Sequence, residues 1–354
     1  MAQIVHLADR SPQVTPDQLL AGFHPSYRFG TVSFDTYIPD PAHPSQAQAV
    51  ERLRRFAADL GRGGSGGGFL GGLFGGKKRA AGPAGIYLDG GFGVGKTHLL
   101  AALAHAVGTE RTAFGTFVEY TNLVGALGFA ATVDALSEHA LVCIDEFELD
   151  DPGDTVLMSR LLRELADRDV ALAATSNTLP GSLGEGRFAA EDFLREIQAL
   201  AARFEVLRVD GEDYRHRPVV TDAGGLSDDA VRAGTAGHPG ATCDLFDDLL
   251  GHLSTVHPSR YSALLDGVTL VGLRGVRTVE RQDEALRLVV LVDRLYDRDV
   301  PVLLGGSGLH DLFTPAMLAG GYRKKYYRTL SRLGALETMG REVAGVSAGD
   351  RPTR

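Results

Sequence analysis

From Gly85 onward the chain alternates short apolar runs with amphipathic stretches, the pattern of a parallel sheet covered on both faces. The apolar runs predict strands over Ile86–Asp89, Thr116–Tyr120, Leu141–Asp145, Val170–Thr175 and Val206–Val209. The stretches between them predict helices over Lys96–Val107, Asn122–Phe129, Asp154–Asp167 and Glu191–Ala202, the third begun by Asp151-Pro152, an N-cap followed by a first-turn proline. The expected fold is α/β, a parallel-sheet core with a C-terminal α/β extension.

The rest of the pattern divides the chain. Residues 1–60 form an N-terminal segment, 61–82 a glycine-rich loop or linker, 83–217 the core, 218–342 the C-terminal region and 343–354 a tail expected to be disordered. Within GRGGSGGGFLGGLFGG, the glycines disfavour regular structure because they lose the most backbone freedom on ordering. Its Phe69, Leu70, Leu73 and Phe74 leave open an inert insertion or a transient docking element. The basic Lys77-Lys78-Arg79 that follows reads as a solvated face. One internal echo stands out. Ala166-Asp-Arg-Asp-Val170 leads into ALAATSN, and Tyr296-Asp-Arg-Asp-Val300 leads into PVLLGGS; both read as helix, tight turn and buried strand. Chance likeness of a common turn and a genuine further strand are both open at this level.

Composition adds limits. The chain has 354 residues, 44% apolar and 23% charged, ordinary for a folded globular protein. A net charge of −9 supplies no global basic surface, which disfavours a DNA-coating role. Cys143 and Cys243, the two cysteines, lack metal-ligand spacing and suit a reducing, cytoplasmic setting. The first ten residues do not read as a signal peptide, and no apolar run reaches the length of a membrane span; peripheral membrane contact stays open.

Candidate chemistry begins at Gly90-Gly91-Phe92-Gly93-Val94-Gly95-Lys96-Thr97, which fits G-x-x-x-x-G-K-[ST] and lies after an apolar strand and at the start of a helix. The glycines let backbone N–H groups curl toward phosphate oxygens, and the helix N-terminus favours negative charge. Lys96 is then expected to bridge the β- and γ-phosphates of ATP, Thr97 to ligate Mg²⁺, and His98 to extend the nucleotide contact. Leu141-Val-Cys-Ile ends in Asp145 and Glu146, two carboxylates at the tip of a buried strand, where side chains of a parallel sheet meet ligands. Asp145 is the expected partner of Mg²⁺ and Glu146 the expected water-polarising base; two exposed turn carboxylates is the blander alternative. The strand Val170–Thr175 ends in Ser176 and Asn177, whose amide can reach the γ-phosphate or the attacking water, or simply close a turn. Arg187, Arg195 and Arg203 are candidates to complete a neighbouring subunit's site, with Arg187 preferred.

The phosphate loop, the Asp145-Glu146-Phe147 segment and the ATSN strand tip together resemble the AAA+ group of ATPases, whose sheet places the Asn-bearing strand between the other two motif strands. More narrowly, GIYLDGGFGVGKTHLL, LVCIDEFELDDPGDTVLMSRLL, GRFAAEDFLREIQALAARFEVLRVDGEDYRHR, EALRLVVLVDRLYDRDV and YYRTLSRL resemble the ZapE family of bacterial cell-division ATPases, related to the mitochondrial Afg-type ATPases. The likeness spans roughly residues 83–340. It implies ATP hydrolysis, oligomerisation, a role near the division apparatus, nucleotide sensing by Arg328 or Arg332, and an adenine covered by Phe34–Tyr37 and Gln46–Gln48. The chain departs from the family in GTFVEYTNLVGALGF, where a longer, histidine-bearing segment is usual, and in Asp192, where an arginine is usual.

The sequence thus points to a cytoplasmic, Mg²⁺-dependent ATPase that acts on a protein partner and works as a homo-oligomer. A nucleic-acid loader built on the same core is the rival, disfavoured because the C-terminal region is not notably basic outside Arg323-Lys-Lys-Tyr-Tyr-Arg328. A small-molecule kinase is a third reading, opposed by the paired carboxylates, since a water-activating glutamate wastes ATP in a kinase.

Overall fold

A computed structural model of the chain describes residues 5–63, 85–91, 93–147, 152–178, 202–212 and 224–346. The glycine-rich segment beyond residue 63, Phe92, Asp151, Arg187, Arg195, residues 191–201 of the predicted helix Glu191–Ala202 and the tail beyond residue 346 lie outside the described residues. The chain forms two compact units, Pro16–His216 and the pair of segments Met1–Thr15 and Arg217–Arg354. The first 60 residues are therefore shared between units at Thr15.

The first unit holds a five-stranded sheet of order β2-β3-β4-β1-β5, with β1 Gly85–Gly90, β2 Thr112–Thr116, β3 Leu141–Asp145, β4 Ala171–Ser176 and β5 Phe204–Val209. Every pairing is parallel, and β4 lies between β3 and β1. Among the described residues its α-helices are α1 Pro16–Ala21, α2 Pro44–Gly63, α3 Lys96–Val107, α4 Phe117–Leu127, α5 Phe129–Leu136 and α6 Pro152–Asp167. Because side chains alternate along a strand, the sheet feeds two cores. Ile86, Leu88, Cys143, Ala171 and Ala173 pack with α2 and α3 on one face. Tyr87, Val142, Ile144, Leu172 and Ala174 pack with α4, α5 and α6 on the other. Burial on both faces is why these strands read as continuous apolar runs.

The predicted strand Thr116–Tyr120 is corrected. The strand lies just before it, and Thr116 is the N-cap of α4: its hydroxyl accepts from the Glu119 N–H while the Glu119 carboxylate accepts from the Thr116 N–H. This T-x-x-E capping box is legible in the sequence and outweighs the local apolar run. Gly128, at φ 83°, then ends α4 before a further helix begins, so the predicted Asn122–Phe129 helix is the end of one helix and the start of another.

The second unit has a parallel three-stranded sheet, β6-β7-β8, made of Ala241–Leu245, Leu270–Arg274 and Val302–Leu304. Val5 bridges Thr242 at its edge, and the N–H groups of Leu7 and Ala8 donate to the buried Asp244 carboxylate at 3.0 and 2.9 Å. Burial raises the Asp244 pKa, and those two N–H groups partly offset the rise. Among the described residues no helix is long and apolar enough to cross a membrane.

Candidate active site

The site grows from three strand tips and one helix start. At the end of β1, Gly90 has no room for a side chain, since a Cβ there would lie 2.2 Å from the Val209 carbonyl oxygen. Gly95, at φ 88°, begins α3 without any side-chain cap, which leaves first-turn N–H groups facing the loop for an anion. Lys96 is buried and its Nζ donates to the carbonyls of Gly90 (2.9 Å) and Gly91 (2.5 Å) and to Asn177 Oδ1 (2.9 Å). The amide at the tip of β4 therefore holds the loop lysine directly.

Thr97 Oγ1 donates to Asp145 at 3.1 Å from Oδ1 and 3.0 Å from Oδ2. Asp145 is buried and sits on the α3 face of β3 by the same alternation that puts Cys143 there. Burial first, and the Asp145 carboxylate second, push the Cys143 thiol well up, so it stays a neutral thiol packed under the site. The chain turns sharply after Asp145, with Glu146 in the left-handed region at φ 54°. A hydroxyl and a carboxylate facing each other are hard oxygen donors of the sort that take Mg²⁺ together with substrate phosphates. Among the described residues no cluster of three or more His, Cys, Asp or Glu offers an alternative metal site.

The structure also shows residues that the sequence analysis did not single out. Thr175 donates to Asp145 and accepts from the Glu146 N–H. Asp89, buried at the end of β1, takes a 2.6 Å ion pair from Arg208, which also binds Asp210 at 2.8 Å. Hydrogen bonds to Asp210 and Asp89 raise the Arg208 pKa and, reciprocally, Arg208 lowers that of Asp210. Neither role carries a short motif; the signal available was the position of each polar residue at the end of an apolar strand.

The other predicted residues fall as follows. His98 Nε2 lies 2.9 Å from Thr36 Oγ1 and 3.2 Å from the Ser33 carbonyl, so it ties the N-terminal segment to α3. Tyr37 donates to the Val94 carbonyl at 2.9 Å, its ring lying over Gly95. Gln46 is buried and bonds the Asp210 carbonyl at 2.7 Å, while Gln48, two residues on along α2, is exposed. Arg203 reaches Asp167 at 3.4 Å. In the second unit Arg328 and Arg332 share Asp293 at 2.8 and 2.5 Å. Burial pushes the Asp293 carboxyl up, but the two guanidiniums outweigh it and leave the group below its ordinary value.

Similarity to known proteins runs along most of this framework. The family model described as AFG1-like ATPase matches residues 36–233 and 227–342. The chain is 27% identical over 302 residues to the cell division protein ZapE of Escherichia coli (strain K12), covering 72% of this chain and 78% of that one. It is 30% identical over 150 residues to an uncharacterized protein of Schizosaccharomyces pombe, covering 38% and 33% of the two chains. Among solved structures it resembles AMPPCP-bound DnaA from Aquifex aeolicus, at 14% identity and a TM-score of 0.38, over 54% of each chain.

Proposed function

We propose a function that starts from kinship: the chain belongs to the AFG1-like ATPase family, and it hydrolyses ATP in the crevice at the tips of β1, β3 and β4. The observation that carries this is that two consecutive residues at an uncapped helix start, Lys96 and Thr97, are hydrogen-bonded to Asn177 and to Asp145 at two neighbouring strand tips. Lys96, now turned onto loop carbonyls, exchanges them for β- and γ-phosphate oxygens. Thr97 and Asp145 hold Mg²⁺, which when bound neutralises charge on those oxygens. Glu146 orients the attacking water and accepts its proton, and Asn177 positions Lys96 and the γ-phosphate. Gly90, Gly91, Phe92, Gly93, Val94 and Gly95 wrap the phosphates, and the segment from Phe34 to Tyr37, with Gln46, borders the adenine.

In this proposal an arginine from a second copy completes the site, with Arg187 the candidate, so the active form is a homo-oligomer; Arg332 senses nucleotide. The output is remodelling of a protein partner in the cytoplasm, and the name of the Escherichia coli relative makes the division machinery the first place to look.

The test is Glu146→Gln. Nucleotide affinity should stay within about threefold while phosphate release falls on the order of a hundredfold, and a partner complex should accumulate with ATP. Turnover equal to the parent's would remove Glu146 from the chemistry. Salt-sensitive DNA binding in place of a protein complex would favour a loader.

A further inference from the structure

A buried hydroxyl links the Asp145 carboxylate to the Glu146 backbone N–H at the tip of β3. Thr175, on β4, is 2% exposed. The register pairs Ile144 with Ala174, so the next positions, Asp145 and Thr175, lie side by side; alternation puts both on the face covered by α3. The Thr175 hydroxyl donates to Asp145 Oδ1. The same oxygen accepts from the Glu146 N–H at 3.0 Å, and the Thr175 carbonyl accepts from the Phe147 N–H at 2.7 Å. Three consecutive residues are thus gripped by one. The grip falls where the chain needs it, because Glu146 holds a left-handed conformation, φ 54°, which side-chain-bearing residues adopt at a cost and keep only when surrounding bonds fix it.

We propose that Thr175 is a positioning residue of the site: its hydroxyl aims the Asp145 carboxylate toward Thr97 and fixes the backbone that carries Glu146. This rests on the reading of Asp145 and Glu146 given under the proposed function. A hydroxyl is required because it must give one hydrogen bond and receive another at once. Valine keeps the shape and does neither, whereas serine does both.

The experiment measures two properties of full-length parent, Thr175→Val, Thr175→Ser and Glu146→Gln proteins. The first is the Mg²⁺ concentration that half-saturates the Mg²⁺-dependent tightening of a fluorescent ATP analogue, a readout that needs no hydrolysis. The second is kcat for phosphate release. For Thr175→Val, half-saturation should rise about fivefold and kcat fall about tenfold, while affinity for the analogue without Mg²⁺ stays within about twofold. Thr175→Ser should match the parent within about threefold. Thr175→Ala, which also lacks the hydroxyl, substitutes if the valine protein does not fold.

Unchanged Mg²⁺ half-saturation in the valine protein would overturn the proposal, and so would equal losses in the valine and serine proteins, since the methyl packing would then be responsible. A parent that releases no phosphate, or a Glu146→Gln protein as fast as the parent, strikes the hydrolase reading instead; the Mg²⁺ titration still decides the role of Thr175.

Discussion

The two units make the same backbone move and put it to different use. In the first, α6 ends in a turn where the Val170 N–H reaches the Leu165 carbonyl at 3.0 Å and Asp169 is left-handed at φ 61°. In the second, the helix Gln282–Asp297 ends in a turn where the Val300 N–H reaches the Leu295 carbonyl at 3.0 Å and Asp299 stands at φ 52°. Both turns deliver a buried strand to a parallel sheet. Beyond the strands the likeness stops. The tip of β4 presents Thr175 and Asn177 to a carboxylate and a lysine. Past the tip of β8 the backbone fills its own space: Gly305 bridges Leu226, and both the N–H and the hydroxyl of Ser307 go to the Val276 carbonyl at 2.8 and 3.0 Å. Helix, turn and strand build a scaffold; the polar groups at the strand ends decide whether it becomes a site.

Substitutions on the two sides separate scaffold from site. Lys96→Ala should cause the largest loss, lowering kcat/KM for ATP on the order of a thousandfold with little change in thermal unfolding, because it removes charge and not core. Leu172 and Leu303 are fully buried in the strands after the two turns, and each changed to alanine should cost its unit about 3 kcal/mol in denaturant unfolding. Equal losses would support the shared scaffold, and a negligible loss at Leu303 would break the parallel.

A pH difference comes next. Burial pushes the Tyr261 phenol of the second unit up to about 12, where it donates to the Leu253 carbonyl at 2.8 Å. The neutral phenol favours the fold, so its contribution is full below pH 10 and is lost as pH climbs through 12. Tyr261→Phe should flatten the pH dependence of stability in that window, read by unfolding followed through tyrosine absorbance. The smallest effect is expected at Arg274, on the tip of β7 with a buried Nε that bonds nothing among the described residues. Arg274→Ala should leave phosphate release within about twofold of the parent; a collapse would give the second sheet a role in turnover that its closed tips argue against.

How much of this was legible follows from the scale of each signal. The parallel core was readable because strands buried on both faces are nearly continuous apolar runs, and Leu141–Asp145 and Lys96–Val107 appear with the predicted bounds. The echo at Tyr296-Asp-Arg-Asp-Val300, which sequence left undecided, does end in a strand, because Val302, Leu303 and Leu304 are all buried. The apolar run over Thr116–Tyr120 forms no strand because the Thr116–Glu119 capping box starts a helix there. The attachment of Val5 and Leu7 to the second sheet joins residues more than two hundred positions apart, which no local pattern encodes. At the candidate site, the glycine-rich loop before Lys96 and the adjacent carboxylates Asp145 and Glu146 announce themselves through spacing. Thr175 does not, because its importance comes from the register of β3 against β4, a pairing that exists only once the sheet is formed.

In the proposed site the loop around Lys96 and the pair Asp145-Glu146 enclose one triphosphate. A crystal structure of the Glu146→Gln protein grown with Mg²⁺ and ATP would show whether they do. Lys96 Nζ should be released from the Gly90 and Gly91 carbonyls and lie within hydrogen-bonding distance of β- and γ-phosphate oxygens, with Thr97 and Asp145 at the metal. Nucleotide bound elsewhere, or Lys96 still seated on those carbonyls with the phosphates in place, would contradict it.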